Sequence, residues 1–307
     1  MDNKKIFLII VVAVFMLIGL AVILSALFFP GTADSISLFL GNNIALVKID
    51  SEISNYGSTF FPAKSAFDIV SEIEKADKDS SVSAILLEIN SPGGSVVASK
   101  QIVEAVQNAK KPVISWISDE GASGAYLIAA SSDYIMADSS SLTGSIGVIS
   151  ILPNYEGLME KLGLKFEVLK QGKYKDIGNP FREMTAEEKK MFYDAMGDIF
   201  VEFKDLVKEF RKDKLNLKEF TEIADGRFLT GKQALDIGLI DALGSRKEAI
   251  EKAADLAGIK GEAALKDFSE SDFKLGNLFS EAGYFISQGF ISGLNKSNLS
   301  LQNVKIQ

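Results

Sequence analysis

Residues 6–29, IFLIIVVAVFMLIGLAVILSALFF, run for 24 residues without a charged side chain. As a helix rising about 1.5 Å per residue this segment is about 36 Å long, enough to cross a hydrocarbon layer of about 30 Å. A cleaved signal peptide would have an apolar region of only about 7 to 15 residues with an A-x-A site after it, so the segment reads as an uncleaved membrane anchor. Lys4 and Lys5 precede it, whereas residues 30–47 contain no lysine or arginine. The positive-inside rule therefore puts residues 1–5 in the cytoplasm and the body outside, in contact with lipid only through 6–29.

The remainder of the 33.3 kDa chain is long enough for one large domain or two modest ones. A net charge of −8 and a pI near 4.9 oppose nucleic-acid binding, which needs clustered Lys and Arg against phosphates. There is no histidine and no cysteine. A bound metal would have only oxygen ligands, so no metal or other cofactor is expected. Stability must come from burial without disulfides, and the absence of cysteine leaves the redox compartment open.

After a Gly, Ser and Asn rich stalk at 30–43, short apolar β-type runs alternate with helical patterns, an α/β signature. Strands are expected at 44–49, 82–89, 112–118, 133–137, 145–150 (SIGVIS) and 165–170 (KFEVLK). Helices are expected over SAFDIVSEIEKA, VVASKQIVEAVQNAK and the long TAEEKKMFYDAMGDIFVEFKDLVKEFRKD, which opens on a capping box of Thr185 and Glu188. The body is taken as 44–266. From 267 to 307 the composition shifts to Phe, Ser, Gly and Asn, and this reads as a tail whose Phe279, Phe285 and Phe290 could occupy an apolar cleft.

Two strand-to-helix junctions could carry chemistry. In LLEINSPGGSVVAS, two glycines free backbone N–H groups to face an anion, although a glycine pair also ends many strands in a plain turn. In SWISDEGASGAY, Ser123 opens a helix and could be no more than an N-cap. Parallel strands ending at one edge would bring both turns to one crevice, where the Gly94 and Gly124 amides could flank a carbonyl oxygen attacked by Ser123.

Without histidine, Ser123 needs another base. A lysine made neutral by burial is a better partner than a carboxylate, and its reference pKa of about 10.4 would have to fall by about 3 units, roughly 4 kcal/mol, within what desolvation supplies. VLKQGKYKDIGNPFREMT offers Lys170, Lys173 and Lys175, and periodicity does not choose among them.

The motifs NSPGG, GASGAY, SLTGSIGVI, GKYKD with PFREMT, and GRFLTGKQALDIGLIDALG occur in the order and spacing of the short, single-domain signal peptide peptidase A group, serine peptidase family S49. The chain resembles that family from about residue 44 to 258. The resemblance implies a ClpP/crotonase-like fold of repeated β-β-α units and a Ser/Lys endopeptidase cutting apolar peptides such as signal-peptide remnants. It also implies a homo-oligomeric ring with active sites facing an inner cavity. On this resemblance Ser123 matches the nucleophile, Lys175 the general base, Ser145 the serine that orients the lysine, and Gly94 and Gly124 the oxyanion donors.

Three competing readings are weaker. GRFLTGKQ at 226–233 has the G-x-x-x-x-G-K spacing of a phosphate loop, but Gln233 stands where Ser or Thr would hold magnesium, so ATP is not expected. A crotonase-like acyl-CoA enzyme would need no nucleophilic serine, and a silent membrane scaffold would need none of the set.

Overall fold

Every residue of Asn43–Ile49 (β1) except Lys48 is buried, which makes the first strand a central one. The computed structural model describes residues 43–56 and 64–269. In it β1 pairs in parallel with Val82–Ser91 (β2) on one side and Ala264–Asp267 (β8) on the other. β2 pairs in parallel with Val113–Ala122 (β3). The near-continuous apolar runs of these strands suit a sheet covered on both faces.

β3 serves two neighbours along its length. Ile114–Ile117 pair with Tyr134–Ala137 (β4), while Glu120–Ala122 pair with Leu142–Gly144 (β5). β5 continues antiparallel to Phe228–Thr230 (β6), and β4 pairs with Ala242–Leu243 (β7), completing a mixed eight-stranded sheet. The split matters because the far half of β3 leads directly into Ser123.

Helices Ala66–Lys78 (α1), Val96–Asn108 (α2) and Gly124–Ala130 (α3) follow β1, β2 and β3. They are followed by Glu156–Leu162 (α4), Ala186–Arg211 (α5), Leu217–Ile223 (α6), Gly231–Ile237 (α7) and Arg246–Leu256 (α8). The expected capping box forms at α5, where Thr185 and Glu188 satisfy each other's backbone N–H. α8 lays Ala249, Ala253 and Ala254 on a core of Ile44, Leu46, Leu86 and Ile114. The end of α5 is tied down by Arg211, 1% exposed in its side chain, which donates to both carboxylate oxygens of Asp241 at 3.0 and 2.9 Å.

Two expected strands do not form. SIGVIS (145–150) is irregular because the strand ends one residue earlier, at Gly144 (φ +77°), and Ser145 (φ +49°) turns the chain out of the pleat. KFEVLK (165–170) has no pairing neighbour among the described residues, and its Phe166 stacks instead on Phe181, rings 3.9 Å apart. β-propensity alone does not make a strand without a partner edge. Four strands of two to four residues, β5 to β8, were too short for alternation to reveal.

At 226–233 the chain forms β6 and the start of α7. Gln233 there closes a capping box with Thr230, a structural role for the residue that departs from the phosphate-loop pattern. The expected anchor at 6–29, all of the stalk but Asn43, and the tail beyond Ser269 lie outside the described residues. Among the described residues no helix is long and apolar enough to cross a membrane.

Candidate active site

The turn after β2 is built so that only glycine fits. Gly93 and Gly94 have φ of +95° and +153°, and a Cβ on Gly94 would lie 2.1 Å from the Ile53 carbonyl oxygen. That close approach is a short pairing: Ile53 N–H donates to Gly93 O and Ser95 N–H to Ile53 O, both at 2.8 Å. Below it, Ser91 Oγ donates to Ser51 O at 2.6 Å and accepts from Gly93 N–H at 3.2 Å. Segment 51–53 thus fastens the glycine turn from the side away from β3.

The turn after β3 is strained. Ser123 sits at φ 52°, ψ −123°, a conformation costing a non-glycine residue about 1 to 3 kcal/mol. Its side chain makes no capping bond to α3, so the N-cap alternative does not describe it. The backbone holds it in place: its N–H donates to Gly144 O at 2.9 Å, and its carbonyl accepts from Leu127 N–H at 3.0 Å.

The two turns touch. A Cβ on Gly93 would lie 2.7 Å from Gly124 N and 2.8 Å from Ser123 Cβ; one on Gly124 would lie 2.2 Å from Ser99 Oγ and 3.6 Å from Gly94 N. Neither the Gly94 nor the Gly124 amide donates a hydrogen bond among the described residues. Two free N–H groups beside a half-buried hydroxyl can receive the oxygen of a carbonyl whose carbon that hydroxyl attacks.

Ser145 reaches the same place from β5. It is the only other non-glycine residue with positive φ among the described residues, its N–H held by Arg227 O at 3.0 Å. Its hydroxyl donates to Gly226 O at 3.3 Å. Ser123, Gly94, Gly124 and Ser145 all line one cavity of about 400 Å³. Its walls are apolar, from Val96, Leu127 and Val148, and from Ile199, Phe203 and Leu206 on one face of α5. Lys100 of α2 and Glu202 of α5, ion-paired to each other, stand at its rim.

Lys175 is not brought there. It lies exposed in the turn 171–178 and does not line the cavity within one chain. The structure does separate the three candidate lysines. Lys170 pairs with Asp176, and Lys173 pairs with Glu187 at 2.7 Å. Glu187 and Tyr174 push the Lys173 ammonium up, holding it charged. Of the three, only Lys175 has a side chain with no hydrogen bond or ion pair among the described residues; its backbone N–H donates to Gly172 O at 3.2 Å. A base must shed its proton, which a carboxylate partner opposes.

Sequence reasoning missed Ser99, Ile53 and the α5 wall. Ser99 is fully buried against Gly124. The wall was written in the spacing of Ile199, Phe203 and Leu206, but periodicity does not say which element a face meets. Among the described residues no group of three or more acidic side chains is placed to hold a metal ion.

The profile of Peptidase family S49 matches residues 105–260, and that of the Clp protease matches 56–140, consistent with a ClpP-like arrangement of the sheet. The chain is 36% identical over 96% of its length to "Putative protease MJ0651" of Methanocaldococcus jannaschii, covering 97% of that protein. It is 34% identical over 67% of its length to "Putative signal peptide peptidase SppA" of Enterococcus faecium and 32% over 74% to "Protease 4" of Haemophilus influenzae. Those two matches span only 58% and 37% of the relatives' own lengths. With a family profile over half of the chain and a relative matched almost end to end, the chain belongs to peptidase family S49, a family of serine-type proteases.

Proposed function

We propose that this protein is a membrane-anchored endopeptidase with a Ser123/Lys175 dyad that cleaves apolar peptides such as released signal peptides. The observation that carries the reading is the convergence of Ser123 and Ser145, the two strained serines, with the free amides of Gly94 and Gly124 on one apolar cavity. Ser123 Oγ attacks the scissile carbonyl carbon while its proton passes to the Lys175 amine. The oxyanion sits between the Gly94 and Gly124 N–H groups, and the lysine returns the proton to the departing amine. Water, activated by the same lysine, then hydrolyses the acyl-enzyme. The Ser145 hydroxyl, held only by a long bond to Gly226 O, turns to orient the amine without adding a charge that would keep it protonated.

Bringing Lys175 to Ser123 calls for a neighbour. From Gly147 to Glu187 not one residue is buried, and Ile149, Ile151 and Leu169 are 83%, 85% and 89% exposed. An apolar arm of this kind is suited to lie on a second copy of the chain, carrying Lys175 with it. The anchor at 6–29, with the body outside the cytoplasm, keeps the enzyme beside the bilayer where apolar fragments partition.

A fluorophosphonate probe tests the reading. Wild-type protein should label at Ser123, and the Ser123→Ala variant should not. A crotonase-like enzyme or a silent scaffold would leave both unlabelled, and that result would end the peptidase reading.

A further inference from the structure

The loop carrying Lys175 is held by charges that leave Lys175 itself out. The next residue, Asp176, has one carboxylate oxygen on Lys170 and the other on Arg182 Nε at 2.9 Å. Arg182 Nη2 also donates to the Asp176 carbonyl at 3.2 Å. The far side of the same guanidinium meets both carboxylate oxygens of Glu188, at 2.9 and 2.6 Å. Glu188 is 3% exposed and caps the first turn of α5 through Thr185. The result is a chain of contacts from the frame of α5 to the residue beside Lys175.

We propose that Arg182 is a positioning residue for Lys175, clamping both the carboxylate and the carbonyl of Asp176 to Glu188 so that the lysine is presented at a fixed place with no carboxylate free to pair with it. The proposal rests on the reading of Lys175 as the base. A planar guanidinium suits the task because it grips two carboxylates and a carbonyl at once, which an ammonium does not. The clamp also has an electrostatic side. The charged groups around Lys175 are Lys170, Lys173, Asp176, Arg182 and Glu183 on its own segment and Glu187 and Glu188 on α5. Glu187 is engaged by Lys173, and Glu188 and Asp176 by Arg182, which holds the Glu188 carboxyl down to about 2. If Arg182 were removed, Asp176 would keep Lys170 on Oδ1 but its Oδ2 would lose its partner, and an ion pair between that oxygen and the adjacent Lys175 would favour the protonated lysine.

The test is the pH profile of kcat/KM for a fluorogenic apolar peptide, measured on the full-length protein in detergent or nanodiscs. Arg182→Met should lower kcat about tenfold through misplacement of the base. Its acid limb should move about one pH unit upward as Asp176 Oδ2 loses Arg182 and turns to Lys175. Adding Asp176→Asn to Arg182→Met should return the limb towards the wild-type position while kcat stays low. A merely structural arginine predicts a lower kcat with the limb unmoved; that result, or a wild-type kcat and limb in the folded variant, overturns the proposal. Should the methionine variant fail to assemble, Arg182→Gln, which keeps a hydrogen-bonding amide but no charge, is read on the same outcomes. Wild-type protein unlabelled at Ser123, or a Lys175→Met variant that still cleaves, would remove the dyad and the clamp together; intact labelling and an inactive Lys175→Met confine any failure to the clamp.

Discussion

The Ser123 crevice and the Lys175 arm belong to one chain but are built on opposite principles. At the crevice each position is fixed by backbone: Gly94 against Ile53 O, Gly124 against Ser99, Ser123 N–H on Gly144 O, Ser145 N–H on Arg227 O. The arm from 147 to 187 buries nothing and is shaped by charge pairs and one stack of Phe166 on Phe181. Strain at Ser123 and Ser145 persists because the sheet over-determines those turns. The arm has no comparable frame beyond the start of α5. On the proposed reading, the nucleophile and oxyanion donors are preorganised within the monomer, whereas the base is presented outward for delivery.

The largest effects should come from the crevice. Ser123→Ala should lower peptide cleavage about 1,000-fold or more while the melting temperature hardly moves, since the side chain supports no other group. Gly124→Ala should remove activity and also destabilise by about 1 to 3 kcal/mol, because its Cβ would meet a buried serine rather than a flexible chain end. A melting temperature like that of the wild type for Gly124→Ala would show that the crevice is less rigid than the contrast requires.

On the arm, Lys175→Met should abolish cleavage with the fold intact, while Lys170→Met and Lys173→Met retain most of it. The comparison sharpens on mixing. Ser123→Ala and Lys175→Met subunits are each inactive, but co-assembled in equal amounts they should regain about a quarter of wild-type activity if the dyad forms between copies. No recovery in verified mixed assemblies would return both residues to one chain and require the arm to fold back.

A smaller effect is expected from the apolar surface of the arm. Ile151→Glu with Leu169→Glu should shift the detergent-solubilised protein to smaller assemblies in sedimentation and reduce cleavage in proportion, with a circular dichroism spectrum like that of the wild type. Unchanged assembly size would free the arm from the interface.

The smallest effect concerns the frame that both regions share at α5. Burial pushes the Asp241 carboxyl up, but hydrogen bonds from Arg211 and Lys214 outweigh it and hold the group below its ordinary value. A depressed carboxyl contributes stability that is present above the unfolded value of about 3.9 and is lost as pH falls through the folded one. Thermal stability should therefore be flat from about pH 7 to 5 and decline below about pH 4. Asp241→Asn should be less stable at neutral pH, with Arg211 left buried without its counter-charge, and should show a shallower acid decline.

Much of this was written locally. The strands at 44–49, 82–89, 112–118 and 133–137 and the capping box of Thr185 and Glu188 follow from short-range chemistry, in which apolar runs seek burial and side chains satisfy the helix ends beside them. The glycine and serine junctions at 93–94 and 123–124 were legible for the same reason, since a chain that turns sharply between strand and helix needs those residue types. Only the tertiary structure decided that the junctions touch, that β3 divides between β4 and β5 so that Ser145 arrives beside Ser123, and that SIGVIS and KFEVLK form no strands. It also set Lys175 apart from Lys170 and Lys173 by their ion-pair partners, which periodicity could not. Each of these depends on partners far away in sequence: Gly144 and Arg227 for the two serines, Glu187 for Lys173, an absent sheet edge for 165–170. Periodicity records which face of an element is apolar; what meets that face, or which charge a lysine finds, is settled when distant segments pack.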